Sequence, residues 1–432
     1  MTDLERQLMD RLVEWKHKKY RKPLILWGAR QVGKTWILKE FGSRYFRNTV
    51  YISLYNNRRI SELFDYDYNP DRIIKTLEVI LHTAIYPQET LIVFDEVQNA
   101  PRVVESLKYF CEEAPEYAVV AAGSLLGVSI HEGVSFPVGK VDELRLYPLN
   151  FREYLTARGE EYLASLIVCP KQPEAEMLCE RCRELLREYM IIGGMPEVVA
   201  RFCEDNDYTS ARELQLSILH QYEGDFGKHI KAAEMPRIRM IWNAIPVQLA
   251  KENRKFFFGQ IKSGARMKDF ELSIQWLVDS GLVYKVNKVE KPAMPLKAYT
   301  DISAFKLFAV DIGLLGALGE LDMDSVRFGN SIFTEFKGAL TEQYVLQQLV
   351  SSTPYTPYYY SGEKSTYETD FLIQKNGSVI PLEVKSEENL RSKSLKAYFE
   401  KFNPPYAVRI SMSNYREQDW MTNIPLWSVE IL

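Results

Sequence analysis

Cysteine is scarce in this chain, five in 432 residues. Cys111, Cys169, Cys179, Cys182 and Cys203 are too few and too scattered to staple a protein of this length, so a disulfide framework is excluded and reduced thiols are expected. Cys179-x-x-Cys182 has the spacing of half a zinc site. It lies in a helical pattern, Met177 to Leu186, with no matching second pair, and buried structural cysteines are the plainer reading. Long apolar runs are missing too: none approaches the roughly 20 residues that span a bilayer. The N-terminus carries Leu4, Leu8, Leu12 and Trp15 on one helical stripe, with acids too early for a signal peptide. A cytoplasmic protein without a membrane segment is expected. Positive charge is not in excess either, since 54 Lys and Arg against 58 Asp and Glu leave a formal net charge of -4. A chain basic overall is excluded, and any nucleic-acid contact must rest on a local patch.

What is present is ordinary globular material, 46% apolar and 26% charged, in a length that suits about three domains of roughly 150 residues each. An apolar strand, Pro23 to Trp27, runs straight into Gly28-Ala29-Arg30-Gln31-Val32-Gly33-Lys34-Thr35. This is the pattern of a phosphate-binding loop. Gly28 and Gly33 let the backbone N–H groups curl towards a β-phosphate, Lys34 reaches the β and γ oxygens, and the Thr35 hydroxyl holds Mg²⁺. ATP or GTP is the ligand expected. A second apolar run, Thr90 to Phe94, ends in Asp95-Glu96. Asp95 is placed to bind Mg²⁺ through water and Glu96 to deprotonate the water that attacks the γ-phosphate, which argues for hydrolysis beyond binding. A third, Tyr117 to Ala122, breaks at Gly123-Ser124, where Ser124 occupies the place of a polar sensor.

Strands expected near 23–27, 49–54, 90–95, 117–122 and 142–147 alternate with helices, the signature of a doubly wound parallel sheet. Gly28, Asp95 and Ser124 then gather at the carboxyl ends of the strands. After Pro148 the pattern turns helical, with Phe151 to Arg158 and Glu174 to Met190, interrupted by Gly193-Gly194-Met195-Pro196 as a helix stop and restart. Around 230–325, short helices followed by an alternating strand over Gly281 to Val289 suggest a winged helix. Within it Lys251, Arg254, Lys255, Lys262, Arg266 and Lys268 surround Phe256-Phe257-Phe258. Two readings stand: a patch that tracks a phosphate backbone, or a solvated face over a Phe core.

The last hundred residues hold a second set of chemically capable side chains. Two alternating strands flank Asn376-Gly377, the preferred pair for a tight I′ turn. With those two residues as the turn, paired positions sum to 753, so Asp370 faces Glu383 and Lys385 follows on the same face. Facing carboxylates repel unless a cation lies between them. Two carboxylates and an ammonium are what a metal-dependent nuclease uses to hold Mg²⁺ and prepare the attacking water, and Glu342, from the helix expected over Phe333 to Val350, would complete the set. The bland alternative is a ladder of surface ion pairs with Glu368 opposite Lys385.

At this point the chain resembles a family of prokaryotic AAA-type ATPases whose C-terminal half is a restriction-endonuclease-like domain of uncharacterised function. The resemblance spans nearly the whole length. It is carried by Gly28 to Thr35, Leu91 to Gln98, Gly123-Ser124, Leu146 to Tyr154, Gly193 to Glu197, Trp276 to Leu282, Asp311 to Leu315 and the Asp370 to Lys385 hairpin. The fold it implies is a P-loop α/β domain over 1–155, a lid-like helical region over 156–229, a winged-helix-like domain over 230–325 and an α/β restriction-endonuclease-like domain over 326–432. It departs from the family at Gly139-Lys140, where Gly-Arg is usual, so an arginine finger is not expected there. The leading expectation is an ATP-hydrolysing machine acting on DNA or RNA. Its rival is a nucleotide-controlled switch that binds a protein or a nucleic-acid site and whose Asp370 cluster is a relic.

Overall fold

A computed structural model of the protein describes residues 4–123, 135–226, 234–251, 255–261, 264–324, 334–362, 368–386 and 392–432. The chain forms two compact units: Glu5–Tyr147 together with Asp279–Leu282, and Pro148–Val278 together with Val283–Leu432 and Leu4. Apart from Asp279–Leu282, the chain from Pro148 on therefore gathers into one unit.

In the nucleotide-loop unit, strands β1 (Leu24–Trp27), β2 (Asn48–Ser53), β3 (Thr90–Asp95), β4 (Ala118–Ala122) and β5 (Asp142–Arg145) form one sheet in the order β2-β3-β4-β1-β5. Every pairing is parallel. Parallel strands covered on both faces read as unbroken apolar runs, and β3 and β4 are buried along their whole length. On one face Ile52, Ile92, Phe94 and Val119 pack with Ile73, Leu77, Val103, Leu107 and Phe110. These come from the helices Pro70–Leu81 and Arg102–Glu113. The first of those helices starts as its sequence dictates, with the Asn69 side chain accepting from Arg72 N and Pro70 at its first position. Because all five strands run the same way, the segments after β1, β3 and β4 emerge at one edge of the sheet.

The second unit opens with a helix Phe151–Ala157 fixed by a capping box between Asn150 and Glu153. The helical stretch expected over Glu174 to Met190 is two helices, Pro173–Met177 and Cys179–Ile192. The latter stops at Gly193, whose φ of +74° is easy only for glycine, and Pro196 starts the next. All five cysteines are free, and burial pushes the Cys182 thiol up to about 12, as befits a structural side chain.

Further on, the helices Met235–Leu249 and Glu271–Asp279 lead into an antiparallel hairpin of β6 (Val283–Val289) and β7 (Thr300–Ala309). Strands β8 (Tyr358–Ser361), β9 (Glu368–Lys375), β10 (Ser378–Val384), β11 (Ala407–Ser411), β12 (Arg416–Glu417) and β13 (Met421–Pro425) extend this into an eight-stranded mixed sheet, β12-β13-β11-β10-β9-β8-β6-β7. The hairpin thus shares a sheet with the C-terminal strands, joined where Lys288 pairs with Tyr359. The long helix Thr334–Ser352 packs against it.

Candidate functional site

The loop after β1 is bent by its own residues. Gly28 has φ +157°, and a Cβ there would lie 2.5 Å from the Leu146 carbonyl oxygen, so only glycine fits. Gln31 at φ 64° and Gly33 at φ 92° complete the curl. A non-glycine residue in the left-handed region is a strained choice that marks a functional loop more often than a neutral one. Ala29 and Val32 are buried while Arg30 and Gln31 are partly exposed. The Arg6 guanidinium clamps the loop from outside, donating to Val32 O at 3.1 Å and Tyr147 O at 2.6 Å. Gly33 leads directly into the helix Lys34–Tyr45, whose first N–H groups are left for an anion.

Lys34 is buried, and its Nζ donates to the carbonyls of Gly28 at 2.9 Å and Ala29 at 2.6 Å. Burial lowers its pKa to about 8, against the opposing pull of Asp95 and Glu96. An ammonium held by carbonyls of the loop itself is suited to exchange them for phosphate oxygens.

Asp95 ends β3 almost fully buried. Its Oδ2 accepts from the Thr35 hydroxyl at 2.6 Å and from the Tyr51 hydroxyl at 2.9 Å, and its Oδ1 accepts from Glu96 N at 2.9 Å. Sequence reasoning missed Tyr51. It lies on β2, in register with Val93, and nothing in an alternating strand tells which neighbour it will have. Burial and then Asp95 raise its phenol, which therefore stays a donor. Glu96 adopts φ 58°, and its Oε2 accepts from the Gln98 amide. Ser124 lies outside the described residues. Lys140, at the Gly-Lys departure, is paired with Glu112 at 2.8 Å on the surface.

In the C-terminal sheet the hairpin register is the expected one, running from Lys375↔Ser378 to Phe371↔Leu382, with positive φ at Asn376 and Gly377. Continued by one step it sets Asp370 level with Glu383. Asp370 Oδ2 accepts from Val384 N at 2.7 Å, and Glu383 Oε1 lies 3.1 Å from Lys385 Nζ. Lys385 thus pairs with the carboxylate two residues before it rather than across to Glu368. Burial raises the Glu383 carboxyl, Lys385 opposes the shift, and Asp370 adds to it. Beyond Glu383 in parallel register comes buried Arg409, which donates to Asn423 Oδ1 at 2.8 Å. Glu342 Oε2 is 3.5 Å from Lys306 Nζ on β7, both side chains 1% exposed, and Lys306 also lies 4.0 Å from Glu368. Among the described residues no three His, Cys, Asp or Glu side chains converge as a group that holds a metal.

Two motifs of the resemblance prove to be partners. Gly194 N donates to Asp311 Oδ2 at 2.7 Å, and a Cβ on Gly193 would meet Asp311 Oδ1 at 2.2 Å. Gln347 ties both to the helix Thr334–Ser352, donating to Asp311 Oδ2 at 3.1 Å and to the Tyr189 hydroxyl at 2.9 Å. Two of the Phe run pack inward, Phe256 stacking on Phe305 and Phe258 on Phe270, while Phe257 is exposed. Arg254 and Lys262 of the basic stretch lie outside the described residues.

A five-stranded parallel sheet with this loop on β1 and paired acids at the end of β3 defines the N-terminal unit as a P-loop, AAA-type nucleotide-binding domain of the ATPase kind. The AAA domain family matches residues 20–155, and two domains of unknown function, DUF8612 and DUF4143, match 183–325 and 337–429. Among solved structures the chain is similar to a Walker-type ATPase of Pyrococcus abyssi, at 15% identity and a TM-score of 0.47, covering 73% of this chain and 96% of that one. It is also similar to the ORC1 protein of Aeropyrum pernix in complex with DNA, at 15% identity and a TM-score of 0.25, covering 73% and 90%. No curated protein matches. Among the described residues no helix is long and apolar enough to cross a membrane.

Proposed function

We propose that the chain hydrolyses ATP with Mg²⁺ and uses the nucleotide state to switch binding of a protein partner by the Pro148–Leu432 portion. The observation that carries the reading is Asp95, buried at the end of β3 and bonded to the Thr35 hydroxyl, with Glu96 beside it. The residues fit the ligand: the glycine cradle at Gly28 has no room for a side chain, and Lys34 is a buried cation whose partners are carbonyls. Gly28 to Thr35 would wrap the phosphates, Lys34 would hold their β and γ oxygens, and Thr35 and Asp95 would hold the metal, Asp95 through water. Bound Mg²⁺ supplies neutralisation of phosphate charge. Glu96 would orient the attacking water and accept its proton, and Ser124 is proposed as the polar sensor.

What supports a switch over a nuclease is the ammonium of Lys306 beside Glu342, where a metal-holding role would need an open carboxylate. The order helix Met235–Leu249, helix Glu271–Asp279, hairpin β6–β7 supports a winged-helix-like region. Phe256 and Phe258 pack inward and leave Phe257 as the exposed ring of the run, which is short of the row of rings that stacks successive bases and supports a protein partner over single-stranded DNA or RNA. The second reading is a Mg²⁺-dependent nuclease with Glu342, Asp370 and Glu383 as ligands and Lys385 as the ammonium. The register that sets Asp370 level with Glu383 favours it.

The test is direct. Lys34→Ala is expected to abolish ATP binding, and Glu96→Gln to keep binding while stopping turnover. Normal hydrolysis by Glu96→Gln would remove Glu96 from its role. Labelled DNA and RNA, single- and double-stranded, incubated with Mg²⁺ or Mn²⁺ with and without ATP, are expected to stay intact. Cleavage by the wild type that Asp370→Ala loses would establish the nuclease instead.

A further inference from the structure

The motif Trp276 to Leu282 has no part in the site above, yet its last four residues pack with the nucleotide-loop unit while the chain on either side of them belongs to the other. Ser280 and Leu282 are 3% and 5% exposed. Gly281 has φ +77°, and a Cβ built on it would lie 3.3 Å from Ala29 N, 3.6 Å from its Cα and 3.7 Å from its Cβ. That is closer than most side chains approach a backbone, so the turn lies flat on the second residue of the phosphate-binding loop. The other supports of the loop, Leu146 O behind Gly28 and Arg6 on Val32 O, come from the same N-terminal stretch of sequence. Asp279–Leu282 arrives from far down the chain.

Ala29 has a second role. Its carbonyl accepts from Lys34 Nζ at 2.6 Å. Were Lys34 to reach for phosphate it would leave that carbonyl and the Gly28 carbonyl, so both peptides flanking the Ala29 Cα under Gly281 would lose the cation that holds them. Ala29 therefore touches both the group that responds to nucleotide and the turn that continues into the helix Glu271–Asp279 and into β6.

We propose that the Asp279–Leu282 turn is a positioning brace for the phosphate-binding loop and the route by which nucleotide occupancy reaches that helix and strand. The inference rests on the ATP reading above. By linkage, a change that shifts the turn alters ATP affinity by the factor with which ATP shifts the turn.

The experiment uses the full chain, with hydrogen exchange over 271–289 and ATPγS affinity as readouts. Gly281→Ala is compared with Gly139→Ala, a glycine of the same unit at φ +73° with nothing within 4 Å of its Cβ position. Both variants carry the same backbone strain, but only one presses on Ala29. Leu282→Ala, which removes packing beneath the turn without adding an atom near Ala29, is the second probe. In the wild type ATPγS is expected to change exchange over 279–289. Gly139→Ala should bind ATPγS within about twofold of wild type, whereas Gly281→Ala should bind roughly tenfold more weakly. Gly281→Ala and Leu282→Ala should both lose the exchange response. Wild-type exchange indifferent to nucleotide, or Gly281→Ala binding like Gly139→Ala, overturns the brace and leaves the ATP reading intact. A wild type that binds no more ATPγS than Lys34→Ala overturns both.

Discussion

Lys34 is the residue through which pH acts on the site. Its folded pKa of about 8 lies below the ordinary lysine value because burial disfavours the charge. Between about 8 and the unfolded value near 10.5 the unfolded chain holds more protons, so stability rises with pH across that window. Below it the folded state carries the full cost of the buried ammonium, about 3 kcal/mol at 1.36 kcal/mol per unit. Phosphate oxygens beside Nζ reverse this and restore the charge. ATP binding at pH 8.5 is therefore expected to take up a proton, and affinity to fall as pH rises above about 8. Calorimetric titration in buffers of different ionisation enthalpy measures the uptake; none in the wild type, or as much in Lys34→Ala, would refute it. Tyr51 carries a separate expectation. Removing its hydroxyl as Tyr51→Phe deprives Asp95 of one donor and should weaken Mn²⁺ binding to the nucleotide complex by about 1 kcal/mol, leaving metal-free ATP binding unchanged. Paramagnetic titration of Mn²⁺ reads this directly. Lys34, Thr35, Asp95 and Glu96 are legible in sequence because their chemistry depends on spacing along one chain. Tyr51 is not, since its role depends on which strand lies beside β3.

At the scale of elements, legibility follows the same division. The β9–β10 hairpin could be registered residue by residue because Asn376-Gly377 dictates the turn, and the turn dictates every pair. Strands β1, β3 and β4 of the parallel sheet are equally plain from unbroken apolar runs. The partner that Glu342 meets is not, because it depends on how a helix packs on β7. There a lysine, a residue almost never fully buried unless paired, sits in the interior. Similarly, Gln343 clasps both backbone groups of Ala309, and Gln347 accepts from Ile312 N. In the sequence these are only polar residues on a helix. The buried pair makes a measurable claim. Lys306→Ala leaves a buried carboxylate without this ammonium and should cost about 3–5 kcal/mol, while the double change Lys306→Met with Glu342→Leu should restore most of that. Urea unfolding of the three chains tests it. A double variant as unstable as the single would mean that the pair is not the source of the loss. A stable double variant also allows the consequences of losing Glu342 to be measured in a folded protein.

For the whole molecule, the division into two compact units has a thermodynamic consequence. Multidomain chains commonly unfold in more than one step, and ligand stabilises only what it binds. At a hundred times its Kd, ATPγS adds about 2.7 kcal/mol to the unit that holds it. For a unit of this size that raises Tm by about 5–10 °C. Were the turn Asp279–Leu282 a passive crossing, calorimetry would show one transition moving and the other fixed. With the turn as a brace, part of the stabilisation is shared, because melting of the second unit releases a segment that supports the nucleotide loop. Both transitions are therefore expected to rise with ATPγS in the wild type, the second by less. In Lys34→Ala neither should move. In Gly281→Ala only the first should move, by a smaller amount that reflects weaker binding. This pattern separates a general loss of stability, which lowers transitions with and without nucleotide alike, from a loss of coupling, which removes only the nucleotide response of the second.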